Sequence, residues 1–284
     1  MADLPPESVS LTVNGLRLHH LDWGNKDAPP FVFVHGLGGN AHAFDGVARR
    51  FSDRYHVISV DVRGRGDSDW SKDGAYQMSD YANDLAGIVD ALGYKKFTLS
   101  GTSMGGRIAM HYAAMHPDRI ERMIIVDIGP ESEAGSERIT RNQANVPESF
   151  ASLEEAAAYR ASTNPVFSTL STADQLQRMQ FDLRQKDDGR YYWKHDPEWQ
   201  RQRVAGGTQS YTHLWQELPK FNFPTLLVWG SASDVLSKQQ ADRIVAALPQ
   251  GEIVHVTGVG HAPTLNEPEA VAGLERFLAP VPVV

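Results

Sequence analysis

Leu99-Ser100-Gly101-Thr102-Ser103-Met104-Gly105-Gly106 follows an apolar, β-branched-prone run and precedes a helical pattern, with one serine set between two glycines. A serine hydroxyl is a weak nucleophile, and a sharp strand-to-helix turn is one way to expose it. Such a turn needs small residues on both sides, which Gly101 and Gly105 supply. The helix that follows points its first N–H groups at the hydroxyl, where an oxyanion would develop. Chance can produce Gly-x-Ser-x-Gly, and the alternative for Ser103 is an ordinary turn residue. The remainder of the chain has to separate the two.

The chain has 284 residues, enough for one large domain, or for a core carrying an inserted one. With 41% hydrophobic and 22% charged residues it reads as globular, and its net charge of −8 gives no footprint for nucleic acid or an anionic membrane. There are no cysteines, which removes disulfides, thiolate nucleophiles and cysteine-based zinc sites. Met1 to Ser10 is polar and contains proline, unlike a secretory leader. No apolar run approaches the ~18 residues of a membrane span. The expectation is a cytoplasmic protein without cofactor or metal, acting on a small molecule rather than on nucleic acid or membrane.

Val9–Val13 and Leu16–Leu21 alternate around Asn14-Gly15, the signature of a hairpin. Phe31–Val34 and His56–Val60 are short apolar runs of the kind found in buried central strands. Asp80–Leu92 has helical spacing and stops at Gly93; Phe97–Leu99 leads into the serine turn, a helix over Arg107–Met115 follows, and Met123–Val126 is the next strand. This alternation predicts an α/β fold with a mostly parallel sheet covered on both faces. The rhythm breaks after Gly129-Pro130. From Glu131 to about Glu217 the chain is polar and helix-prone, with helices expected over Leu153–Arg160 and Ala173–Leu183 and a scatter of aromatics that includes Trp193. The sheet pattern returns with Thr225–Trp229, a helix over Lys238–Leu248, a strand over Ile253–Val256 and a last helix over Pro268–Leu278. The expected organisation is a core of residues 1–130 and 218–284 interrupted by a helical insertion at 131–217.

A serine nucleophile needs a base, the base needs an orienting acid, and the oxyanion needs donors. An open parallel sheet carries its functional loops at the carboxyl ends of its strands. His261, in Val259-Gly260-His261-Ala262-Pro263, follows the last predicted strand and is the candidate base. Asp234 lies beyond the strand ending in Trp229-Gly230, and Asp127 ends the strand after the nucleophile helix. Asp234 is preferred as the acid because its loop directly precedes the histidine loop, giving the order Ser103, Asp234, His261; its competing role is a helix N-cap. His35-Gly36-Leu37-Gly38-Gly39-Asn40 is a glycine-rich loop after the first buried strand. The backbone N–H groups of Leu37 and Met104 are the expected oxyanion hole. No Lys-Ser/Thr follows these glycines, so the loop is not a phosphate-binding P-loop.

Taken together, His35–Gly39, Asp61–Ser68, Gly101–Gly106, Asp234 and Gly260-His261 resemble the α/β-hydrolase fold family over nearly the whole chain. The resemblance implies a helical lid at the insertion and a scaffolding role for Asp61–Ser68. Ser103 sets aside the haloalkane dehalogenases and epoxide hydrolases, which use an aspartate nucleophile. The expected activity is hydrolysis of small-to-medium carboxylic esters through an acyl-enzyme, with Trp193 of the lid in the substrate pocket. A lactonase or a C–C bond hydrolase of the meta-cleavage type would use the same residues. Thr102 and Ala262 depart from the latter's usual pattern. Cofactor-free perhydrolase or haloperoxidase chemistry and a non-catalytic ligand receptor complete the alternatives.

Overall fold

A computed structural model describes residues 5–207 and 209–279, so part of the Met1–Ser10 stretch lies outside the described residues. Strands β1 (Glu7–Val13) and β2 (Leu16–Asp22) form the expected hairpin, with Val13 opposite Leu16. Asn14 and Gly15 have φ of 51° and 76°, the paired positive values whose twist suits a two-residue hairpin. The chain then runs through β3 (Pro30–Val34), α1 (Asp45–Phe51), β4 (His56–Val60), α2 (Met78–Ala91), β5 (Phe97–Thr102), α3 (Met104–Met115) and β6 (Ile120–Val126).

A cap follows: α4 (Ala134–Gln143), β7 (Ser149–Phe150), α5 (Leu153–Thr163), α6 (Pro165–Ser168), α7 (Thr172–Asp182), β8 (Leu183–Gln185), β9 (Tyr191–Trp193) and α8 (Pro197–Gly206). The core resumes with β10 (Thr225–Gly230), α9 (Lys238–Ala247), β11 (Gly251–Val256) and α10 (Pro268–Phe277). The main sheet has the order β1-β2-β4-β3-β5-β6-β10-β11, parallel from β4 to β11 with β1 and β2 antiparallel at one edge.

Alternation along the central strands fills both faces. Val32 and Val34 of β3 join the cluster under α2, α3 and α9, while Phe31 and Phe33 join the one under α1 and α10. The inserted segment holds a three-stranded antiparallel sheet, β7-β9-β8, beside its helices, so a purely helical insertion is corrected. Its own small core joins Phe150, Phe167, Met179 and Leu183.

Two close approaches position the serine turn. A Cβ on Gly105 would be driven into the Val34 carbonyl of β3, and one on Gly101 into the Gly105 carbonyl. The start of α3 thus lies directly on the sheet only because both positions lack a side chain. Asp61, buried beyond β4, ties together the loops on the same side. It accepts from His19 Nδ1 (2.7 Å), from the Ala41 amide (2.6 Å) and from the Asp67 amide (2.9 Å). Burial alone would raise its pKa, yet the hydrogen bond from His19, the nearby His35 and the Asp67 amide hold it below the usual carboxylate value.

Gly105→Ala is expected to destabilise the fold by about 1–3 kcal/mol or more, since the obstacle is backbone that cannot swing aside, as urea unfolding would show. Asp61 carries the acid-labile part of this scaffold. Its folded pKa is depressed, so its contribution is present above the unfolded pKa and fades as pH falls through the folded one. Asp61→Asn should therefore cost more stability at neutral pH than at pH ~3, and equal losses at both would contradict this.

Candidate active site

Ser103 sits between β5 and α3 with φ 54° and ψ −117°, a sparsely populated conformation for a residue with a side chain. Backbone bonds hold the turn: the Ser103 amide donates to Val126 O at 2.9 Å, and the Gly106 amide donates to Ser103 O at 2.9 Å. The hydroxyl lies 2.8 Å from His261 Nε2, and His261 Nδ1 lies 2.8 Å from Asp127 Oδ2. A carboxylate only accepts, so Nδ1 donates to it and Nε2 of the neutral ring is left to take the serine proton.

Asp127 is completely buried at the carboxyl end of β6, with φ 52°. Besides the imidazole, its oxygens accept from the Gly230 amide (3.1 Å) and from Ser233 Oγ (2.7 Å). Three hydrogen bonds from two segments, the end of β10 with its following loop and the loop after β11, hold this carboxylate against His261. The structure thus brings Ser103 and His261 together as expected, and corrects the acid from Asp234 to Asp127.

Asp234 lies on the exposed side of the β10–α9 loop, where Arg138 of α4 grips it through Nε (2.8 Å) and Nη2 (3.1 Å). That guanidinium holds the Asp234 carboxyl below its ordinary pKa. With both oxygens on Arg138, and the Gly135 amide on its backbone oxygen at 2.8 Å, Asp234 fastens the cap to the core. The physical reason for the correction is sheet order. β6 is the neighbour of β5, so a residue at its very end lies beside Ser103, whereas Asp234 stands further out beyond β10. An aspartate immediately abutting a strand, as Asp127 does in Ile125-Val126-Asp127, was the available signal.

The expected oxyanion loop follows β3. His35 is buried, its Nδ1 donating to Gly36 O (2.8 Å) and its Nε2 accepting from the Val62 amide (3.2 Å). The Leu37 amide shares its peptide with Gly36 O, which also accepts from the Gly39 amide at 3.1 Å. Arg65 Nε donates to Leu37 O of the following peptide at 3.0 Å, so the loop is held on both sides of that amide. Gly36 lies so near the serine turn that a Cβ there would stand 3.3 Å from Ser103 Cβ. Leu37 and Met104 both border a cavity that Ser103 also lines. Met104 opens α3, so its amide has no intrahelical acceptor.

Ser103 and His261 open onto a larger cavity of about 550 Å³ beneath the cap. Trp193 lines it, and also packs edge-on against Phe150 while donating Nε1–H to Pro147 O at 3.0 Å. It serves cap packing as well as pocket wall. Among the described residues His19, Asp61 and Asp67 lie close enough to hold a metal. Asp61 is already saturated by the bonds described above, and Asp67 pairs with Arg184 and Lys194, both at 3.0 Å. These groups are scaffold.

The chain matches the model of the alpha/beta hydrolase fold over residues 29–268. It is 28% identical over 274 residues to a 3-hydroxybutyrate-oligomer hydrolase of Cupriavidus necator, covering 92% of each chain. It is 29% identical over 254 residues to the esterase YbfF of Escherichia coli, covering 88% of this chain and 92% of that one. Among solved structures, an alpha/beta hydrolase from Novosphingobium aromaticivorans superposes with a TM-score of 0.84 at 31% identity, covering 97% of this chain and 99% of the other. The E-2-(acetamidomethylene)succinate hydrolase structure gives 0.81 at 26% identity, covering 96% and 97%. The protein belongs to the α/β-hydrolase fold family. It is a hydrolase of that type, and among the described residues no helix is long and apolar enough to cross a membrane.

Replacing the two acids distinguishes their roles. Asp127→Asn should lower kcat by about 10⁴-fold, because an amide in that place favours the wrong imidazole tautomer. Asp234→Asn removes only an exposed ion pair worth about 0–1 kcal/mol, and should change kcat by less than about tenfold.

Proposed function

We propose that the protein cleaves small-to-medium carboxylic esters through an acyl-enzyme formed on Ser103. The observation that carries this reading is the unbroken chain from Ser103 Oγ through His261 to buried Asp127, opening onto a cavity. Esterase names among the relatives support it.

His261 Nε2 takes the Ser103 proton as Oγ attacks the ester carbonyl, and Asp127 stabilises the imidazolium that forms. The amides of Leu37 and Met104 donate to the oxyanion, adding no reorganisation cost because their peptides are already held. Collapse of the tetrahedral intermediate expels the alcohol, which receives the proton from Nε2. Water then enters, loses a proton to the same nitrogen, and attacks the acyl carbonyl to release the acid and regenerate Ser103. Thr102 precedes the nucleophile and Ala262 follows the histidine in this chain. The ester reading is therefore preferred to C–C bond cleavage.

A fluorophosphonate probe should label Ser103 and no other residue, as peptide mapping would show. Ser103→Ala should lose the label and more than about 10⁴-fold of its p-nitrophenyl ester turnover. Labelling elsewhere, or turnover retained by that variant, would overturn the proposal.

A further inference from the structure

Ser103 also borders a second, smaller cavity of about 270 Å³, reached on the Met104, Ile128 and Val235 side of the turn. Its charged lining is of one sign, among neutral polar groups such as Gln77, Gln202 and Gln209. Arg107 of α3 and Arg203 of α8 face it with Tyr81 and Tyr211, and among the described residues no carboxylate lines it. Arg107 is buried and donates only to uncharged groups: Gly129 O (3.1 Å), Glu131 O (3.1 Å) and Ser132 Oγ (3.2 Å). Arg203 Nε is shielded from solvent with no hydrogen-bond partner, and its Nη2 reaches Thr140 Oγ1 only at 3.5 Å. The hydroxyl of Tyr81, a side chain 2% exposed, also has no partner.

Two guanidiniums that have lost much of their water and face one chamber without an acidic neighbour are poorly placed for stability. Burial pushes Arg107 down to about 10, with nearby Arg203 acting in the same direction against an upward pull from Tyr211. The arrangement suits a planar anion instead, since a guanidinium fork and a phenol hydroxyl match the lone pairs of a carboxylate. The chamber's size restricts that anion to the end of a short chain.

We propose that this second cavity is a carboxylate subsite, so that the preferred esters carry a free carboxylate on a short limb held by Arg203, Arg107 and the Tyr81 hydroxyl. This rests on the ester-hydrolase reading and narrows its substrate class. The carboxylate recruits no new chemistry. It seats one limb of the substrate beside Met104, leaving the other in the larger cavity, with the scissile carbonyl over Ser103 between them.

The test compares each charged ester with a neutral counterpart of similar length: monoethyl glutarate against ethyl pentanoate for the acyl limb, and 4-acetoxybutanoate against pentyl acetate for the alcohol limb. The full chain should prefer the charged ester in one pair by about 10- to 100-fold in kcat/KM, and the pair that responds identifies the limb. Arg203→Gln and Tyr81→Phe should each move that ratio toward parity, and free glutarate should inhibit hydrolysis of the neutral ester competitively. Neutral esters preferred in both pairs, with no inhibition by glutarate, would overturn the subsite while leaving the esterase intact. If the wild-type chain turns over no ester, the subsite is still tested by binding. Glutarate should raise the melting temperature of Ser103→Ala, and should not do so when Arg203→Gln is added; no rise in the single variant would overturn it.

Discussion

The buried Asp127 carboxylate is the constraint on which the site depends. Its oxygens accept from His261, from the Gly230 amide and from Ser233 Oγ, joining the loops after β6, β10 and β11 at one point. A buried carboxylate is costly unless its lone pairs are satisfied, and once satisfied it is rigid. That rigidity fixes the imidazole plane, and the imidazole in turn meets a serine hydroxyl projected by a strained turn. The strain at Ser103 persists because Gly101 and Gly105 let α3 begin directly against β3 and β5.

Charge is arranged in two ways around this centre. At the cap boundary, Asp234 and Arg138 neutralise one another in partial contact with solvent, which fastens the cap without committing a buried charge. Deeper in, Arg107 and Arg203 face a chamber beside Ser103 that no carboxylate lines among the described residues. The first arrangement is a clasp. The second is the basis of the carboxylate subsite proposed above, since two cations facing one chamber favour an anion there.

Much of the core was legible in the sequence because local and tertiary preferences agree there. Asn14-Gly15 specifies a hairpin, Phe31–Val34 alternates between two buried faces, and Gly93 ends α2 at a φ of 75°. The cap sheet was not read, since strands of two or three residues show no reliable period. Asp188-Gly189 between Gln185 and Tyr191 was nevertheless a hairpin signal. Ser103 and His261 were legible from their loops. The acid was misread because order along the chain does not state which strands are neighbours in the sheet. The cationic chamber was beyond sequence reasoning, since Arg107 and Arg203 meet only through the folding of the cap over α3.

The assignment of Asp127 as the partner of His261 is tested most directly by proton NMR of the imidazole N–H in the full chain. A strongly hydrogen-bonded Nδ1 proton should appear far downfield in the wild type, persist in Asp234→Asn and be lost or moved well upfield in Asp127→Asn. A resonance that survives in Asp127→Asn and disappears in Asp234→Asn would contradict the account.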